Sequence, residues 1–155
     1  MDLCLLKFNE NILSAGTGTA KVCLSDSYPE GGKACWIAGW GLIEDGGTAA
    51  SDQLKSVGVN ILSQSYCLQN TIHNFLFADD ICVGSPDTTG NNLIDGGIGA
   101  CQGDSGGPLV CDVNGAATLM GVTSRGNVCG GEGQPSLYTS ISTDDWISTT
   151  IAANP

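Results

Sequence analysis

Eight cysteines in a chain of 155 residues constrain what it can fold into more than any other feature. So many thiols gather either as disulfides in an oxidising compartment or as thiolates around zinc. No Cys-x-x-Cys pair occurs, and the single histidine, His73, stands at no ligand-like spacing from any cysteine. Disulfides are therefore expected, and with them an extracellular location, with no metal site and no cofactor evident. The segment Met1–Lys7 carries an acid at position 2 and an apolar run too short for an export signal, so the sequence reads as having lost its beginning. No apolar stretch approaches the ~20 residues that a membrane span requires, which argues against a membrane partner.

The 23 glycines and the low share of charged residues, 14%, suit a turn-rich β fold. A hydrophobic content of 41% allows a packed core. The formal charge of −11 repels phosphate backbones, so nucleic acid is a poor partner. Apolar alternation predicts strands at Leu3–Phe8, Ala34–Gly39, Leu54–Leu62, Ile81–Gly84, Pro108–Val113, Thr118–Ser124 and Ser136–Ile141. Val57, Val59 and Ile61 share one face of the third. Gly-Gly, Asn-Gly and Asp-Gly signals punctuate these runs. One helix is expected at the C-terminus, capped by Ser142 or Thr143, with Trp146, Ile147, Thr150 and Ile151 on one face. Short strands closed by a terminal helix predict an all-β fold, an antiparallel barrel followed by an α-helix.

The chemistry lies in Ala100-Cys101-Gln102-Gly103-Asp104-Ser105-Gly106-Gly107-Pro108-Leu109-Val110-Cys111. A nucleophilic serine needs a tight exposed turn, with backbone N–H groups aimed at the oxygen that becomes an oxyanion. Flanking glycines permit that turn and let a substrate approach closely. Gly-Asp-Ser-Gly-Gly-Pro between two cysteines resembles the active-site signature of the chymotrypsin/trypsin family of serine proteases. Cys35-Trp36-Ile37-Ala38-Gly39-Trp40-Gly41, Gly121-Val122-Thr123-Ser124-Arg125-Gly126 and Pro135-Ser136-Leu137-Tyr138-Thr139 followed by Trp146-Ile147 resemble further family motifs, in the family's order.

The resemblance implies a six-stranded Greek-key barrel, the second of the family's two. Residues 1–10 would be the last strand of an otherwise missing first barrel, 11–33 the linker, and 34–155 the catalytic barrel with its helix. Asp2, in Asp2-Leu3-Cys4-Leu5-Leu6, resembles the catalytic aspartate, and Ser105 the nucleophile. The backbone amides of Gly103 and Ser105 would form the oxyanion hole, and Asp104 would hold the amine released on activation. The family's histidine motif lies upstream of the aspartate and is absent from this chain. His73 is read as an exposed loop histidine, so the chain alone is expected to be inactive. Leu3, Leu5, Leu6 and Phe8 would be left as an exposed apolar edge. The family pattern also implies the disulfides Cys35–Cys111, Cys67–Cys82 and Cys101–Cys129. Cys23 matches a position that in many members bridges to an upstream segment. Cys4 reads as a small core residue.

For specificity, the resemblance places Gly99 at the base of the pocket for the residue preceding the scissile bond. Ala100, Ser124, Arg125, Gly126 and Ser136 complete the substrate-binding set. With no acid at the base, cleavage after apolar residues is expected rather than after Lys or Arg. Asp87 and Asp95 lie in an unusually long loop, with 18 residues between Cys82 and Cys101, and either acid could reach inward. Arg125 stands where the family usually has tryptophan. It would either attract acidic substrate groups or lie solvated over apolar surface. The expected function is a secreted serine endopeptidase acting on proteins and peptides. The alternative is a non-catalytic homologue with a binding or regulatory role.

Overall fold

Alternation in two neighbouring segments starts the barrel. β2 (Ala34–Gly39) buries Cys35 and Ile37, and β3 (Lys55–Ile61) buries Val59 and Ile61, so each strand turns every second side chain inward. They pair antiparallel, Cys35 opposite Val59. These strands belong to a computed structural model that describes residues 3–9, 12–13, 18–71, 76–142 and 145–154. The two-residue β1 (Cys23–Leu24) precedes them. After β3 come the helix α1 (Gln64–Asn70), β4 (Asp80–Gly84), β5 (Pro108–Val113), β6 (Ala116–Gly126), β7 (Ser136–Ser140) and the helix α2 (Trp146–Ala153).

β2 pairs with β3 and β5, β4 with β3 and β7, and β6 with β5 and β7, every pair antiparallel. The sheet therefore closes into the expected six-stranded barrel, which leaves no ring strand with a bare edge. β4 does not pair with β5, its successor; the chain crosses between them, and β7 later fills the gap between β4 and β6. That 85–107 crossover carries both the acidic loop and Ser105. β1 adds to the outside of β6 in parallel.

Ile37, Val59, Ile61, Ile81, Val83, Leu109, Met120 and Tyr138 fill the barrel around the Cys35–Cys111 disulfide. These two cysteines face each other across β2 and β5. Cys67–Cys82 ties α1 to β4 and Cys101–Cys129 ties the crossover to the loop after β6, so all three implied bridges are present.

Several features differ from expectation. The run Leu3–Phe8 forms no strand, since nothing among the described residues pairs with its backbone; Leu5, Leu6 and Phe8 are exposed as foreseen. Cys4 is correspondingly exposed rather than a core residue, and both Cys4 and Cys23 are free. α1 was not foreseen, because seven residues are too few to show a helical period. Its local signal is Ser63, whose hydroxyl accepts from the Tyr66 N–H at 3.1 Å. α2 begins after Asp145, not Ser142 or Thr143, and Asp145 makes no side-chain cap. Thr143 lies outside the described residues. Trp146, Ile147 and Thr150 are half-buried as expected, but Ile151 is exposed.

Candidate active site

Ser105 is exposed at the apex of a turn that glycine chemistry makes possible. Gly103 and Gly106 adopt φ of +96° and +83°, a region disfavoured for residues with a Cβ. The Gly106 N–H donates to the Thr123 carbonyl and the Thr123 N–H to the Gly107 carbonyl, both at 2.9 Å, which anchors the turn to β6. A Cβ on Gly107 would lie 2.8 Å from the Asp104 carbonyl oxygen. Among the described residues, no acceptor takes the N–H of Gly103 or of Ser105.

Asp104 points the opposite way, under the turn. Its Oδ1 accepts from the Gly41 N–H at 2.8 Å and its Oδ2 from the Cys101 N–H at 2.9 Å. A Cβ on Gly39 would sit 2.0 Å from that Oδ1, and one on Gly41 2.6 Å from the carboxyl carbon. The Gly-Trp-Gly pattern thus has a physical reason: both glycines leave room for the carboxylate.

Behind Asp104 lies a cavity of about 350 Å³, lined also by Gly99, Lys55, Thr123 and Tyr138. The Tyr138 hydroxyl is buried there with no hydrogen-bond partner among the described residues. Burial pushes its phenol up to about 12. The nearby Asp104 carboxylate acts in the same direction, and the Thr123 hydroxyl, outside bonding geometry, opposes it.

A second cavity, of about 130 Å³, opens beside Ser105 and is lined by Ala100, Ser124, Arg125, Gly126 and Ser136 among others. Of the residues expected from the sequence to set specificity, only Gly99 lies elsewhere, in the cavity behind, where a Cβ would be 3.0 Å from the Gly130 backbone and 3.7 Å from the Ser136 Oγ. Neither loop acid reaches the cavity beside Ser105. Asp87 accepts from the Gly90 and Asn92 amides at 2.7 and 2.9 Å, and Asp95 from the Thr88 N–H at 3.1 Å. Slight desolvation works to raise the Asp87 pKa, but the amides of Gly90, Asn92 and Thr89 together outweigh it and hold the carboxyl below its ordinary range. Asp2 and His73 lie outside the described residues.

Neither sequence reading of Arg125 describes its place. Its two terminal nitrogens donate to the two carboxylate oxygens of Asp80, Nη1 to Oδ1 at 2.8 Å. Its guanidinium carbon lies 5.2 Å from the centre of the Phe77 ring. This is the sole ion pair among the described residues. Asp80 and Phe77 went unnoticed in the sequence because they lie 45 and 48 positions before their partner.

The sequence model of the trypsin family matches residues 1–147. The chain belongs to the trypsin family. Human serine protease 1 is 34% identical to this trypsin-family chain over 155 residues, covering 99% of the chain and 57% of the relative. Pig trypsin is 34% identical over 154 residues, covering 99% and 61%. The solved structure of neuropsin, a serine protease expressed in the limbic system of mouse brain, superposes with a TM-score of 0.74 at 33% identity. It covers 89% of the chain and 56% of neuropsin. The chain thus spans little more than half the length of the relatives it matches, and its closed barrel with a C-terminal helix agrees with the fold of this serine protease family.

Proposed function

We propose that this trypsin-family chain is the nucleophile-bearing barrel of a secreted serine endopeptidase that cleaves after apolar residues. The observation that carries the reading is Ser105, exposed on a turn where its own N–H and that of Gly103 meet no acceptor among the described residues, beside a cavity with no carboxylate among its lining residues. In this reading the Ser105 Oγ attacks the scissile carbonyl carbon while a histidine from a first barrel takes its proton, with Asp2 orienting the imidazole. The Gly103 and Ser105 N–H groups receive the negative charge that develops on the carbonyl oxygen. Collapse expels the amine and leaves an acyl-Ser105 ester, which water then hydrolyses. Asp104, held from below by Gly41 and Cys101, keeps the turn in shape, and a cationic amine entering the cavity behind it would meet the carboxylate. Residues 1–10 then complete the first barrel, 11–33 link the two, and Cys23 is the point for a bridge to an upstream segment. The exposed Leu5, Leu6 and Phe8 are apolar surface that such a barrel would cover. Without the histidine the chain by itself is inactive.

Labelling the protein purified from its source with a fluorophosphonate tests this. Modification at Ser105, with peptide cleavage after Leu or Phe exceeding cleavage after Lys or Arg, is expected; Ser105→Ala abolishes both. Native protein that neither labels nor cleaves overturns the peptidase reading and leaves a binding role. Intact mass with and without reduction reports any chain joined through Cys23.

A further inference from the structure

Arg125 and Asp80 carry an inference that rests on the peptidase reading and deepens it. Asp80 is 2% exposed, yet its carboxylate is fully engaged: both oxygens accept from Arg125, and Oδ2 also accepts from the Phe77 N–H at 2.8 Å. The Tyr28 hydroxyl donates to the Asp80 carbonyl, which fixes the backbone at the same point. Asp80 opens β4 and Arg125 lies near the end of β6, with β7 paired between them, so the arginine reaches across a strand to its partner. The register shift between Thr123 and Arg125 leaves Ser124 as the extra residue of a bulge, a device that re-aims the side chains around it. A buried ion pair of this kind adds little stability over an apolar replacement, because desolvation offsets the attraction. Orientation of the guanidinium accounts for it better.

We propose that Asp80 is a specificity-determining positioning residue, which holds Arg125 against Phe77 so that a peptide laid along β6 meets a neutral wall rather than a free cation. Arg125 lines the cavity beside Ser105, but both its terminal nitrogens are committed to Asp80. Acidic side chains upstream of the cleaved bond then gain nothing from it, and neutral ones are accepted. An unpaired arginine at the same place would select acidic residues.

Two readouts test this on the native protein and on Asp80→Asn. Phenylglyoxal modification of Arg125, the single arginine of this sequence, is followed by mass on the peptide that contains it. Removing the carboxylate charge and one of its two acceptor oxygens is expected to accelerate modification roughly tenfold. Second, kcat/KM is compared for matched peptides bearing Glu or Leu at each of the three residues before the one held in the cavity. In Asp80→Asn the Glu-to-Leu ratio is expected to rise about two- to fivefold. The double variant Asp80→Asn, Arg125→Met leaves no buried charge and serves if the single variant fails to fold; its ratio should stay within about twofold of wild type. An unchanged modification rate or an unchanged ratio in Asp80→Asn overturns the proposal. So does a marked fall of the ratio in the double variant, since Arg125 would then already be reading acids. If no form cleaves any peptide, the peptidase reading fails and the selectivity with it. The modification rate then separates that failure from a missing Arg125–Asp80 pair.

Discussion

Gly39→Ala probes the support of the Ser105 turn directly. Gly39 lies in β2 opposite Lys55, and its φ is not in the left-handed region, so the backbone accepts alanine without strain. The obstacle is Asp104, whose Oδ1 would be 2.0 Å from the new methyl and whose carboxyl carbon would be 2.8 Å away. The carboxylate must leave, and with it go the bonds from the Gly41 and Cys101 amides. Hydrogen bonds to a charged group contribute about 1.5–3 kcal/mol each. Because Asp104 is only half-buried, water recovers part of that, and a net loss of about 2–4 kcal/mol is expected. In an Asp104→Ala background the two atoms that clash are gone, and of the three nearest only the residue-104 Cβ remains, at an ordinary contact distance of 3.4 Å. There Gly39→Ala should be neutral or stabilising by up to about 1 kcal/mol, because it restricts the unfolded chain. Urea unfolding of the four forms closes a double-mutant cycle with an expected coupling of about 3 kcal/mol. Equal destabilisation of Gly39→Ala in both backgrounds would refute the steric argument.

Replacing Cys35 and Cys111 by alanine, which opens the bridge with a sequence separation of 76, should cost about 4 kcal/mol by thermal unfolding; opening Cys67–Cys82, with a separation of 15, should cost about 3 kcal/mol. The Tyr138 hydroxyl has no partner among the described residues, so Tyr138→Phe should change stability at neutral pH by no more than about 1 kcal/mol. A phenol raised from 10.0 to about 12 on folding stabilises the native state fully below pH 10 and loses that contribution as pH rises through 12. About 1.4 kcal/mol should therefore vanish between pH 9 and 11, and Tyr138→Phe should remove this part of the alkaline decline. Asp87, held below its ordinary range, stabilises its loop above about pH 4 and loses that contribution as pH falls through its lowered folded value. Proteolysis of the 85–98 loop should accelerate on acidification in wild type and lose that pH dependence in Asp87→Ala.

Much of the barrel was legible residue by residue. Val57, Val59 and Ile61 announce an inward face by alternation alone, and Pro108–Val113 and Ala34–Gly39 form strands with the predicted limits. The turn at Ser105 was legible too, because positive φ at Gly103 and Gly106 is a local demand met by local glycines. The three disulfides followed from the family pattern. Leu3–Phe8 alternates well enough to predict a strand, but a strand exists only with a partner, and none of the described residues supplies one.

What the sequence by itself determined, then, is whatever depends on neighbours in the chain: strand faces, the turn at Ser105 and the family to which the motifs belong. Only the tertiary structure decided what depends on register and closure. β7 must slot between β4 and β6 before Asp80 and Arg125 come within reach, and a one-residue bulge at Ser124 helps set where the guanidinium points. Gly39 and Gly41 acquire their necessity in the same way, from a carboxylate 65 and 63 positions away. The physical reason is that such an interaction depends on which strands meet and at what offset, and that is a property of the closed barrel rather than of any short segment.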